Sequence, residues 1–426
     1  MTPLTRIARL SAAFLGSNVA RAAIGFGLSF ALARGLGTER FGRWILCTAW
    51  ASTLTVVVDL GFGVLLTRDG ARPDAEPGRL LSGALAARLA IAVPLAALLF
   101  AGAPLLSSDA ETIAGLRVAA LLGTAGAAYG CFGALFRSQP RWLPSVLAAE
   151  TGWLAIQLGA AWWMVRTAAG GLVVALLTLA VVVQLAQILT AIVCWRTVFG
   201  DRGRARLPSR DALAALVRRA LPFALSGIVA NVQTRIGPLM LGYLSTSSEV
   251  GLFGAASRFG NVARLAPQAV FAGALPVLSH EHGRDRASAA RVFQTMDRIL
   301  IVLSASIAAG CALFASPVLR LVYGSAFVHA APALLWVSIG LIPLLSNSGR
   351  KVFLYASGGE ALVVRWSAVA LAAQAGLGVL LIPTLGSTGA AVSVAIGEAV
   401  IWWPLRRTMP SDVARAFQAR DPATSS

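Results

Sequence analysis

The sequence predicts an all-α polytopic membrane protein: 12 transmembrane helices in two pseudo-twofold-related six-helix bundles around a central cavity. Three observations carry that prediction. About a dozen apolar stretches of 18–25 residues recur along the 426 residues, each long enough to cross a bilayer core of about 30 Å as a helix. Hydrophobic residues make up 57% of the chain and charged residues 13%, about half the charged share of a soluble domain. The connecting segments alternate between arginine-rich and arginine-poor, which sets an orientation.

The predicted spans of the first half are residues 11–33, 41–66, 80–101, 113–136, 142–165 and 171–195. Span one lacks a small-residue cleavage site after a short apolar core, so it reads as a retained helix rather than a signal peptide. Span two closes on Asp59-Leu-Gly-Phe-Gly63, and span three holds Pro94 as a packing kink. Span four ends at an arginine-rich turn, span five carries Glu150, and span six contains the charge-free run Leu172–Trp195. Arg196–Arg219 follows as the longest connection, with Asp201, Gly203 and Pro208 and a short amphipathic approach over Ala212–Arg219. The second half adds spans at 220–244, 250–276, 297–316, 332–356, 362–384 and 388–405. Pro222 and Pro238, with Gly227 and Gly237, make span seven the expected bending element, and Pro267 with Pro276 do the same for span eight. The expected organisation is a bundle over 1–199, a linker over 200–219, a second bundle over 220–408 and a disordered tail over 409–426.

Of the 36 basic residues, 25 fall on one side with both termini, six on the other and five inside spans. The positive-inside rule places the first side, and both termini, in the cytoplasm of a cell whose inner membrane the chain crosses. Trp44, Trp162, Trp163 and Trp336 then fall near the outer boundary, and Trp142, Trp195, Trp366, Trp402 and Trp403 near the inner one. Trp50 and Trp153 lie deeper and require helix neighbours or a cavity.

Several functional classes are excluded on this reading. A net charge of +18 ordinarily suggests nucleic acid, but arginines spread over alternate helix ends form no binding stripe, so no nucleic-acid partner is expected. Cys47, Cys131, Cys194 and Cys311 are scattered without metal-ligand spacing, and His280-Glu-His282 reads as a solvated turn, so no metal or cofactor is expected. With no Ser/His/Asp order, Walker loop or GxGxxG at a strand–helix junction, the chain reads as a carrier, not an enzyme.

An internal repeat supports the two bundles. Gly37-Thr-Glu-Arg-Phe-Gly42 follows span one, and Ser247-Ser-Glu-Val-Gly251 follows span seven. Both halves start on the same side, which implies an axis along the membrane normal and a substrate held between the halves.

The same residues resemble a family. The turn Gly37–Gly42, the run Asp59–Gly63, Leu275-Pro-Val-Leu278, and Val318-Leu-Arg-Leu-Val-Tyr-Gly324 followed by Ala330-Ala-Pro-Ala-Leu-Leu-Trp336 are similar to the polysaccharide flippases. These belong to the multidrug/oligosaccharidyl-lipid/polysaccharide superfamily. The resemblance covers about residues 5–400 and implies a two-bundle transporter with a V-shaped cavity. Its implied substrate is a polyprenyl-diphosphate-linked oligosaccharide, flipped from the cytoplasmic to the outer leaflet for surface polysaccharide synthesis. Membrane lipids, and a polymerase and glycosyltransferases of the same pathway, are its implied partners. Twelve spans fit the oligosaccharide branch. A multidrug/cation antiporter of the superfamily is the alternative, followed by a polytopic polysaccharide polymerase.

Polar residues inside the spans locate a candidate site. An arginine near a span centre costs about 2.5–3.5 kcal/mol on insertion scales, so it faces a cavity or a partner. Asn18 and Arg21 in span one, Asn231 and Arg235 in span seven, and Arg258 and Asn261 with Arg264 in span eight each follow one helix face. Guanidinium forks bind phosphate oxygens in pairs and stay charged at any physiological pH. Arg21, Arg235 and Arg258, with Asn18, Asn231 and Asn261, are therefore the expected diphosphate site. The competing reading is that these arginines pair with intramembrane acids or snorkel to an interface. That reading leads for Arg264, kept as a secondary anion contact, and for Arg88, within reach of headgroups or Glu150. Asp59, Glu150 and Glu398 are the acids available for ion coupling or gating, or for neutralising a neighbouring arginine.

Overall fold

The computed structural model describes residues 3–139, 141–167, 171–204, 209–264, 286–356 and 360–418, and the regular structure among them is entirely helical. Eleven α-helices follow in order: α1 Pro3–Asp59, α2 Phe62–Gly70, α3 Pro77–Leu106, α4 Ala110–Arg137, α5 Leu143–Thr167 and α6 Leu172–Phe199. Then come α7 Arg210–Leu244, α8 Ser247–Ala263, α9 Arg286–Tyr323, α10 Ala331–Ala356 and α11 Glu360–Gln418. Among the described residues, seven helical stretches are long and apolar enough to cross a membrane, by length and composition alone.

Two of the helices are pairs of crossings joined without a loop. α1 reverses at Gly37 (φ 71°) and α11 at Gly386 (φ 53°), backbone angles that a residue without Cβ adopts at least cost. The predicted boundaries between spans one and two, and between eleven and twelve, fall on these glycines.

The end of span two differs from its expectation. The apolar pattern runs through residue 66, but the helix breaks at Leu60 (φ 43°) and Gly61 (φ 77°) and restarts as α2. Asp59 Oδ2 accepts from the Gly63 amide at 3.4 Å, meeting one of the donors that a helix start leaves unpaired. The Asp59–Gly63 run is thus a hinge-like break with its own cap.

Contacts divide the chain into two compact units, Met1–Gly251 and Leu252–Ser426. Within the first, α4 packs against α1, α3 and α6, while α5 packs on α1 and α6. α7 joins this unit through α1, α2 and α3. At the arginine-rich end, Trp195 lies edge-on to Phe132 at 5.7 Å and 4.2 Å from the Phe199 ring, and donates to Gly203 O at 2.7 Å. It is buried there rather than set in a lipid-facing belt, because its indole N–H has a backbone acceptor. At the arginine-poor end, Arg43 reaches Glu39 and Glu111 at 2.7 Å and Asp109 at 3.4 Å. Glu111 in turn accepts from the Val173 amide at 3.4 Å. One guanidinium thus ties together the starts of three crossings.

In the second unit α10 packs between α9 and α11. Arg350, grouped by sequence with the arginine-rich connections, is instead buried in α10 and pairs with Asp297 at 2.6 Å. Ser346 donates to the other Asp297 oxygen at 2.6 Å and accepts from Trp402 Nε1 at 3.0 Å.

Candidate anion-binding cavity

A cavity of about 440 Å³ opens within the first unit, walled by α1, α4, α5, α6 and α7. Two of the expected arginines line it, Arg21 from α1 and Arg235 from α7. Arg21 donates to Glu150 Oε2 at 2.6 Å. Tyr129 donates to the other Glu150 oxygen at 2.9 Å, and Arg137 stands 3.7 Å from it. Glu150 is buried, whereas the Arg21 side chain is 44% exposed, so Arg21 keeps donors turned to open space. Arg235 Nε is buried without a hydrogen-bond partner among the described residues.

The rest of the wall mixes neutral polar side chains with apolar ones, among them Val56, Leu122, Leu154 and Val183. Gln157, Gln184 and Gln187 face the cavity with Thr48, Ser52 and Thr55, and Gln184 donates to Gln187 at 2.9 Å. Trp44 is part of the same wall and is 6% exposed, so it faces the protein interior. It stacks on Phe41, ring centroids 6.0 Å apart. Sequence reading passed over the glutamines because they are uncharged. Their signal was present: Gln184 and Gln187 are one turn apart in an otherwise apolar span, where polar groups need a cavity or a partner.

Other expected residues are placed elsewhere. Asn18 and Asn231 are half-buried, one turn from the two arginines, and are not among the residues lining the cavity. Arg88 does not meet Glu150. It is 2% exposed, pairs with Asp59 and donates to Ala127 O at 3.0 Å. The Asp59 carboxylate thereby serves Arg88 and the α2 start together. Arg258, Asn261 and Arg264 lie on or just after the part of α8 that belongs to the second unit, with Glu398 on α11. Glu398 is buried and accepts from Asn347 Nδ2 through its backbone at 2.9 Å and its side chain at 3.3 Å. α7 is helical throughout, Pro238 included. Pro267, Pro276, His280 and His282 lie outside the described residues.

The two repeated turns meet each other at the arginine-poor end. A Cβ on Gly42 would fall 1.6 Å from Ser247 O, and one on Gly251 would fall 2.1 Å from Thr38 O. Ser248 Oγ donates to Thr38 Oγ1 at 3.0 Å. Thr38 and Gly42, like Ser247 and Gly251, are four residues apart, so each small-xxx-small pair packs on its counterpart. Such reciprocity is the mark of a local twofold relation.

The architecture has counterparts among solved structures. The lipid II flippase MurJ in an inward closed conformation aligns with a TM-score of 0.72 at 13% identity, over 96% of this chain and 90% of that one. An inward-facing multidrug resistance MATE family transporter of the MOP superfamily aligns at 0.67 and 14%, over 96% and 100%. A MOP superfamily transporter from Pyrococcus furiosus, described as having a binding pocket of reverse polarity, aligns at 0.57 and 16%, over 98% and 97%. These likenesses show a shared fold, two helical bundles of the MATE and MurJ type. No curated protein sequence matches the chain. Residues 8–281, well over half the chain, match the family described as "Polysaccharide biosynthesis protein", and the chain belongs to that family.

Proposed function

We propose that the chain is a flippase that carries a polyprenyl-diphosphate-linked oligosaccharide from the cytoplasmic to the outer leaflet of the inner membrane by alternating access. The carrying observation is the cavity: two guanidiniums and one carboxylate, with amide and hydroxyl groups, set among apolar side chains. Its charge is net positive, which suits a diphosphate, and its amides and hydroxyls suit sugar hydroxyls. The family description and the MurJ name, a lipid II flippase, point the same way. On this reading Arg21 and Arg235 hold the diphosphate, and Arg258 on α8 is a further candidate contact. Asn18, Asn231 and Asn261 orient the three helices, and Arg264 is a secondary contact. An incoming diphosphate competes with Glu150 for Arg21, and the carboxylate released retains Tyr129 and Arg137. Glu150 is thus the coupling candidate, with Asp59 a gating one and Glu398 its counterpart in the second repeat. The repeats are those expected from sequence, 1–199 and 220–408 with the linker between, and the arginine-rich face with both termini is cytoplasmic.

The presence of Glu150 in the same cavity favours one second reading, a cation antiporter. Both are tested in vesicles that contain the purified protein and a labelled polyprenyl-diphosphate oligosaccharide. Flipping is expected in the wild type. It should fall at least about tenfold in Arg21→Ala and in Arg235→Ala, the loss of one charge-assisted contact each, and further when Arg258→Ala is added. Equal flipping in all variants would sink the site. Uptake of a cationic dye that depends on Glu150, with no lipid flipping, would establish the antiporter instead.

A further inference from the structure

Beside the polar cavity lies a second, smaller one of about 170 Å³, between α4, α5 and α6. Its wall is more apolar. Phe136, Trp142 and Trp153 wall it, and Ala149 and Ala191 are the small residues that leave the gap between α5 and α6. It occupies the arginine-rich half of these helices, from Trp142 and Val198 near their ends to Glu150 and Gln187 deeper in. Ser145, Ala149, Cys194 and Thr197 along it are exposed, so the slot opens on the outer surface of the helices. Three residues, Tyr129, Glu150 and Gln187, line both this slot and the polar cavity. The slot therefore opens on the helix surface and reaches inward to the carboxylate that holds Arg21.

We propose that this slot receives the first isoprenoid units of the substrate's lipid tail while the diphosphate rests on Arg21 and Arg235. The proposal rests on the lipid-linked reading above and adds to it a location for the tail. An amphiphile with an anionic head and a long apolar tail needs a polar and an apolar compartment that share a boundary, and these two cavities share one. The slot lies at the depth of the leaflet from which that substrate would enter, so the tail need not cross the polar cavity. Aromatic and small aliphatic walls suit the flat, methyl-branched isoprene unit, which gains by burial in proportion to its apolar area.

The test uses the full chain in phosphatidylcholine vesicles with a polyprenyl diphosphate that carries a diazirine on the isoprene unit nearest the diphosphate. Photolysis is expected to label peptides of α5 and α6 that bear Ala149, Trp153, Ala191 and Cys194. Ala149→Trp and, on the opposite wall, Cys194→Trp should each lower that labelling at least about tenfold, the loss of burial for about two methylenes, and slow flipping in step. Two variants on different helices guard against a folding defect in one, and each is checked for an unchanged thermal unfolding midpoint. Labelling elsewhere on the protein, with flipping intact, overturns the slot and leaves the flippase reading standing. No labelling and no flipping overturn both. Equal labelling of the same peptides by a diazirine phosphatidylcholine assigns the slot to ordinary acyl chains and overturns the proposal.

Discussion

Arg88 is a nearly fully buried guanidinium, 2% exposed, and it is tolerated because Asp59 and the Ala127 carbonyl accept from it. Its partner is 38% exposed, so the two halves of the pair are not equivalent. Removing the acid strands a buried charge, at about 3 kcal/mol, the low end of the range for a broken buried pair. Removing the cation leaves an acid that is only partly buried and keeps the Gly63 amide as a donor. Asp59→Ala should therefore lower the Tm of the purified protein more than Arg88→Met, and the reverse order would refute the asymmetry. Asp109 offers a pH test at the arginine-poor end. Burial raises its carboxyl, but the Thr112 hydroxyl at 2.7 Å, the Thr112 amide at 2.8 Å and Arg43 more than offset that, so it titrates below the usual carboxylate value. A lowered folded pKa contributes stability that is complete above the unfolded value and is lost as pH falls through the folded one. The advantage of wild type over Asp109→Ala, about 1 kcal/mol for an N-cap, should be full at neutral pH and vanish on acidification; a Tm gap that is flat with pH would contradict it. At this scale the sequence announced the intramembrane arginines, since charge in an apolar run is conspicuous. It did not announce their partners. Arg88 with Asp59, and Arg21 with Glu150, depend on how separate helices are rotated, which no local pattern encodes.

At the scale of elements, turns made by backbone geometry were easier to read than a break hidden by hydropathy. Gly37 and Gly386 stand where apolar runs reverse, and the structure turns on them. At Leu60 the apolar pattern continues through Phe62, Leu65 and Leu66, all of which are buried, so periodicity gave no sign of the break. The paired turns Gly37–Gly42 and Ser247–Gly251 were legible as a repeat, while their mutual packing was not, because it needs the helices brought together. That packing makes a prediction. In a background with Cys194→Ser and Cys311→Ser, Thr38→Cys with Ser248→Cys should form a disulfide on mild oxidation, since the native hydroxyls are 3.0 Å apart. Adding Gly42→Leu places a side chain where Ser247 O lies, an overpacking of about 1–3 kcal/mol, and should cut the yield of that disulfide severalfold. An unchanged yield on a non-reducing gel would show that the turns do not depend on the glycine contact.

At the scale of the whole molecule, the all-helical membrane fold was legible because the bilayer imposes one length and one hydrogen-bonding solution on every crossing. The compact units could not be read in the same way. The repeat expected from sequence restarts near residue 220, yet α7 belongs by contact to the first unit, held at one end by Arg219 pairing with Asp69 and at the other by Leu46 lying where a Gly242 side chain would be. Repeats record pattern, whereas compact units record packing. The charge distribution carries the last prediction. Moving one negative charge outward across an inside-negative membrane is downhill by about 2.3 kcal/mol per 100 mV. With Arg21, Arg235 and Glu150 in the cavity, the empty carrier holds one positive charge, because Glu150 neutralises Arg21 and leaves Arg235. A diphosphate with two negative charges then gives the loaded carrier one negative charge, so the potential drives both the outward step and the return. Vesicles with an imposed potassium diffusion potential should thus show faster flipping when the arginine-rich face is negative, in steady state and in a single outward turnover. Glu150→Gln adds one positive charge to both states, so its outward single turnover should become nearly insensitive while the return of the empty carrier becomes more steeply voltage-dependent. An outward single turnover with the same voltage slope in the two proteins would mean that the cavity charges do not move with the carrier.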